Sequence, residues 1–341
     1  MIASYFKDLY RGGVEGWDRF WFSAIDPATL GVIRILSGAM LFYTHLVWAL
    51  DLWGFMGETG RFTPELMARF HDQSPFAWSF LPWIDHSPTF LWTVHIVGLA
   101  VILLHTCGLW SRWTSVAAFI IAVSYVHRVP GALFGLDQIN VMLAMYLMLG
   151  GAGGAYSLDR WLAERRRHPK SPPLPKTSVA ANVSIRLIQL HMCVIYMFAG
   201  TGKLLGDTWW DGTAMWGAVA NSEYQSLDMT WLAPFPLLIS LLTQISLAWE
   251  ISYCVLVWPR LTRPLVIALA IPLHLGIAIA MGMITFGLVM LIANMAFISP
   301  WIVRELEAQI VRRWDKGQPE TQTSPSPKGA RHQQARPSGI R

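Results

Sequence analysis

Residues 186–215 read RLIQLHMCVIYMFAGTGKLLGDTWWDGTAM. Between Leu187 and Ala199 only Gln189 and His191 are strongly polar, which is the texture of a helix inside a membrane. The Ala199-Gly200-Thr201-Gly202 run is expected to end that helix, because glycine is a poor helix former. One lysine, Lys203, would then stand at the membrane edge, ahead of a loop rich in tryptophan and aspartate.

The rest of the chain has the same character. Of its 341 residues 54% are hydrophobic and 14% charged, against about 25% charged in an ordinary soluble domain. Apolar segments at 29–50, 88–107, 113–126, 136–151, 184–201, 237–258, 264–282 and 284–302 predict an all-α, polytopic membrane protein, a bundle of about eight transmembrane helices. Residues 1–302 form that domain. An apolar residue every four positions from Ile302 to Trp314 predicts an amphipathic surface helix over 303–316. The Pro-, Ser-, Gln- and Arg-rich 317–341 predicts a disordered basic tail.

The net charge of +5 follows the membrane rather than nucleic acid, which is not an expected partner. With the N-terminus in the cytoplasm, twenty Lys and Arg fall in inside segments and four in outside ones (Arg61, Arg69, Arg128 and Lys203). That asymmetry predicts cytoplasmic N- and C-termini and puts Lys203 and His127 on the outer side. The lipid bilayer is the first expected partner. Cys107, Cys193 and Cys254 all lie in apolar segments, so neither a disulfide framework nor a metal site is expected.

Ionisable groups inside the spans carry the functional expectation. Glu250 lies in the sixth span and is expected either to pair with Arg34 or Arg186 or to form part of a proton path. His45, His95, His105 and His191 each stand alone and read as side chains bonded to neighbouring helices. His274 lies between Pro272 and Gly276, where a helix can bend and free backbone groups. Asn140 and Asn294 read as interhelical hydrogen-bond partners, the alternative being the lining of a polar cavity.

Residues 196–215, YMFAGTGKLLGDTWWDGTAM, are similar to the active-site stretch of the vitamin K-dependent gamma-glutamyl carboxylase family. Tyr196, Ala199, Gly200, Lys203, Leu204, Asp207, Trp209, Asp211, Gly212 and Met215 carry the likeness, with one extra residue near Thr208. Residues 15–302 as a whole resemble the bacterial HTTM (horizontally transferred transmembrane domain) proteins, supported by Trp17-Asp18-Arg19-Phe20-Trp21 and Tyr156-Ser157-Leu158-Asp159. The resemblance implies a multi-pass protein of the bacterial inner (plasma) membrane. It also implies that Lys203 is a base acting on a reduced quinone, of menaquinol or vitamin K hydroquinone type, in an oxygen-dependent carboxylation or oxygenation. His127 and His274 are then the assisting histidines, and Tyr196, Trp209 and Trp210 the residues expected to hold the lipid-soluble quinone or small substrate. A transporter and a non-catalytic membrane scaffold are the alternatives.

Overall fold

The computed structural model describes residues 2–72, 74, 76–168 and 171–317, so the expected tail lies outside the described residues but for Gly317. Ten longer helices carry the fold: α1 (Ile2–Phe22), α2 (Ala28–Ala49), α3 (Pro88–Cys107), α4 (Ser111–Arg128), α5 (Gly135–Leu149), α6 (Val179–Lys203), α7 (Pro236–Leu256), α8 (Arg263–Ala280), α9 (Ile284–Asn294) and α10 (Pro300–Gly317). No strand is present among the described residues, only an isolated bridge between Ile25 and Ser178. The protein is all-α.

Local chemistry sets the helix ends. Ser87 and Ser178 accept bonds from Phe90 N and Ala181 N, and so cap α3 and α6. Pro88, Pro236 and Pro264 sit in first turns, where a missing N–H costs nothing. Gly108 takes the left-handed conformation that closes α3.

Among the described residues, five helices are long and apolar enough to cross a membrane: α2, α3, α6, α7 and α8. A sixth span results if Ile284–Phe297 and Pro300–Trp314 are joined as one bent segment. Helices also stand where the third and fourth spans are expected, but α5 is short at 15 residues and α4 has a larger share of polar residues than the five.

Among the described residues the bundle has two large apolar cores, beside a small cluster of Val219, Leu232, Ile239 and Ala280. One joins α2, α5, α6, α7, α8 and α9 around Ile188, Met192, Tyr253 and Val289. The other joins α2, α3 and α4 to the 51–87 connection around Leu52, Met56, Ile102 and Ala118. Three arginines pin the ends of these helices. Arg34 is fully buried and donates to the carbonyls of Ala152, Ala155 and Tyr156, rather than to Glu250. Arg186 bonds Phe20 O and Gln189 Oε1, so it is not the partner of Glu250 either. Arg128 bonds Asp85 and the carbonyls of Phe62 and Gly57.

From Arg304 the chain forms a second unit. Within it, Leu306, Ile310, Val311 and Trp314 are exposed along one helix, with Arg312 paired to Glu305. The helix that carries them runs Pro300–Gly317, where the sequence suggests 303–316.

Candidate functional site

Helix α6 does not break at its glycines. It runs without interruption through Ala199-Gly200-Thr201-Gly202 to Lys203. Gly200 serves instead as a point of close approach to α7: a Cβ there would lie 2.9 Å from Ile251 Cγ1 and 3.1 Å from Ile251 N. The contact between helices supplies what the glycines lack in propensity.

Because the helix continues, Tyr196, Gly200 and Lys203 share one face at i, i+4 and i+7. That face meets α7. Lys203 Nζ donates to both carboxylate oxygens of Glu250, and the two side chains are 27% and 16% exposed. Glu250 stands fourteen residues into α7, about 21 Å along the axis from Pro236 at 1.5 Å per residue. The ammonium group is therefore alongside the body of a membrane helix and not at its edge.

The 204–220 connection folds against the N-terminal half of α7. Gln244 Nε2 donates to Trp209 O, and Thr243 Oγ1 bonds Gly212 O and Met215 N. Gly212, with φ of 80°, packs on Ser240 where a Cβ would collide. This seating brings the Trp209 ring to 5.0 Å from Lys203 Nζ, within cation–π range. Trp210 is exposed and spends its indole N–H on Leu204 O, 2.8 Å away.

Two helical turns back along α6 from Lys203, a polar chain crosses four helices. Tyr253 donates to Asn294 Oδ1 at 2.6 Å, and Asn294 Nδ2 donates to Tyr196 Oη at 2.8 Å. The Tyr196 oxygen is thus already an acceptor, and its own hydrogen goes to His274 Nε2, 2.7 Å away. His274 then carries its hydrogen on Nδ1. That nitrogen is buried and has no partner among the described residues. Pro272 lies inside α8 without ending it, and Gly287 lets α9 approach the His274 carbonyl closely.

A profile of the HTTM domain matches residues 22–301. The chain belongs to the HTTM-domain family. No curated protein and no solved structure matches it. With its apolar helices, membership makes it a multi-pass membrane protein.

In this HTTM protein the expected site residues separate into two groups. Lys203, Trp209, Tyr196 and His274 belong to one locality, joined by the contacts above and by Glu250. His127 is placed with the other core, at the end of α4, where its Nδ1 lies 3.1 Å from Trp78 O. His95, His105 and His191 make the expected interhelical bonds, to Tyr125, Ser115 and Tyr146. Asn294 does so as well. Asn140 lies instead beside a small cavity, with no partner among the described residues. No group of three or more metal-ligating side chains occurs among the described residues.

Sequence reasoning missed the partnership of Lys203 with Glu250 and the junction role of Tyr196. The signal was present: Tyr196, Gly200 and Lys203 repeat at helical spacing, as do Trp249 and Tyr253 flanking Glu250. It was hidden by taking the glycines as a helix end.

Proposed function

We propose that this HTTM protein is a membrane enzyme in which the Lys203–Glu250 pair accepts a proton from a lipid-soluble reduced quinone, as the resemblance to the vitamin K-dependent carboxylases implies. The observation that carries the reading is a lysine–carboxylate pair within the span, under an indole, with a buried imidazole held by Tyr196 two turns along the same helix.

The residues present fit such a ligand. A cavity of about 410 Å³ lies between α5, α6 and α9, within the usual range for small-molecule sites. Ile139, Met142, Ile195 and Met290 give it apolar walls, and His191 and Gln138 give it polar ones. Phe286 lines this cavity and also stands 6.4 Å from the His274 ring, so one aromatic side chain separates the cavity from the polar chain. When bound, a reduced quinone supplies a weakly acidic phenolic proton and two electrons.

The chain's own residues handle the proton. A free lysine, with an ordinary pKa near 10.4, is protonated at neutral pH and is no base. In the pair, the Glu250 carboxylate is the group that takes up the quinol's phenolic proton, and Lys203, which donates to both of its oxygens, holds it in place. Trp209 shields the pair from water and steadies the ammonium form. Tyr196, tied to Asn294 and His274, fixes the floor of the site.

The test uses purified protein in lipid nanodiscs with a reduced menaquinone analogue. Oxygen-dependent oxidation above the protein-free rate is expected, with Lys203→Ala and Glu250→Gln each losing at least tenfold. Full activity in Lys203→Ala would overturn the reading. Proton flux into liposomes that disappears in Glu250→Gln, with no quinol oxidation in the wild type, would replace it with transport.

A further inference from the structure

The α2–α3–α4 half of the bundle holds a second polar centre, which the proposed chemistry does not use. His45 on α2 stacks on His95 of α3 at 6.3 Å between ring centroids, and lies 4.6 Å from the Tyr125 ring of α4. His95 Nδ1 is 2.7 Å from the Tyr125 hydroxyl. His45 Nδ1 is 2.9 Å from Leu41 O. A carbonyl can only accept, so His45 carries its hydrogen on Nδ1 and presents a lone pair at Nε2. That Nε2 is buried and has no partner among the described residues.

Asn140, on α5, is in the same condition. It is 3% exposed, and neither its amide nitrogen nor its amide oxygen is bonded. His45, Asn140, Thr44, Tyr125 and Asp137 line a single cavity of about 10 Å³. A bare amide and a bare imidazole nitrogen are costly in any protein interior. The volume is that of one water-sized sphere, so no larger molecule fits. The atoms also specify the chemistry. His45 Nε2 needs a donor and Asn140 Nδ2 needs an acceptor, and a hydroxylic molecule supplies both at once.

We infer that this cavity is a binding site for one water molecule. The water donates to His45 Nε2 and accepts from Asn140 Nδ2. Its second hydrogen is directed to the cavity wall, where Asn140 Oδ1 and the Asp137 carboxylate are the available acceptors. With the water in place, Asn140, in the second turn of α5, and His45, four residues before the end of α2, share one hydrogen-bonded group. The site is a hydrated histidine centre, independent of Lys203 and Glu250.

The test uses the full chain in nanodiscs with 15N-labelled histidine, His45 being assigned by backbone correlation. The expected result is a hydrogen-bond-shifted Nε2 acceptor signal with a cross-peak to water, both absent in Asn140→Leu. A free-acceptor shift with no water cross-peak in the wild type would overturn the proposal, whatever the variants do. Lys203→Ala should leave the cross-peak unchanged. Its loss there would overturn the independence of the centre, without bearing on whether Lys203 acts on a quinol.

Discussion

Lys203 and Glu250 lie 47 residues apart on neighbouring helices, and the ammonium meets both oxygens of the carboxylate. Both side chains are less than one third exposed, so each protects the other from standing alone inside the bundle. Removing one partner of such a pair costs up to about 3 kcal/mol, chiefly through the charge left behind, whereas removing both can be nearly neutral. Lys203→Met and Glu250→Leu are each expected to lower the unfolding midpoint in detergent, and the double variant should recover most of the loss. Strictly additive losses would show that the pair is not coupled.

The Tyr253–Asn294–Tyr196–His274 chain makes a different demand. Tyr196→Phe removes one oxygen but leaves Asn294 Nδ2 without one of its acceptors and His274 Nε2 without a donor. Each bare buried group costs about 1–3 kcal/mol. Tyr196→Phe is thus expected to destabilise the protein more than Phe198→Leu, on the same helix but 67% exposed. Adding Asn294→Leu to Tyr196→Phe should cost less than the sum of the single changes, because the two residues share a bond. A thermal-shift series over the four variants reads this directly.

How much of this was legible follows from the range of each signal. Span positions rest on local composition, which is why helices stand at all eight expected places and the chain is all-α. Their crossing power is less legible: α4 and α5 depend on neighbours for their polar or short segments, and composition does not show neighbours. Lys203 was singled out from sequence, yet its partner was not, because Arg34 and Arg186 seemed equally eligible until carbonyls of Ala152, Ala155, Tyr156 and Phe20 claimed them. Glycine was the misleading letter. At Gly200 its small size was wanted for contact, not its flexibility for a break.

The same distinction separates two other glycines. At Gly287 on α9 a Cβ would lie 2.5 Å from His274 O and 2.9 Å from Ala278 Cβ, so the backbones of α8 and α9 must part to admit it. Overpacking of that kind costs about 1–3 kcal/mol. At Gly276, on α8, nothing lies within 4 Å. Gly276→Ala is expected to be neutral or to stabilise by up to about 1 kcal/mol through helix propensity. Gly287→Ala should lower the unfolding midpoint and, by displacing His274, reduce any quinol oxidation. Equal behaviour of the two variants would refute the close approach.

At the far end of α4, Arg128 is 1% exposed and holds three groups of the 51–87 connection: Phe62 O at 2.7 Å, Gly57 O at 3.1 Å and Asp85 Oδ2 at 3.2 Å. Burial raises the Asp85 carboxyl above its ordinary value, and the Arg128 charge works against that rise. Arg128→Leu strips the opposing charge and leaves the carboxylate buried and unpaired, at a cost of about 3–5 kcal/mol. The pH dependence has a definite sign. A carboxyl whose folded value exceeds its unfolded value binds its proton more readily in the fold, so stability falls as pH rises between the two. The deficit of Arg128→Leu should accordingly be largest near neutrality and shrink on acidification, and Asp85→Asn in the same background should remove that pH dependence. Limited proteolysis within 51–87 at two pH values measures it. Cleavage should be fastest in Arg128→Leu at the higher pH, whereas cleavage indifferent to pH would show that Asp85 is not the group left exposed to the loss.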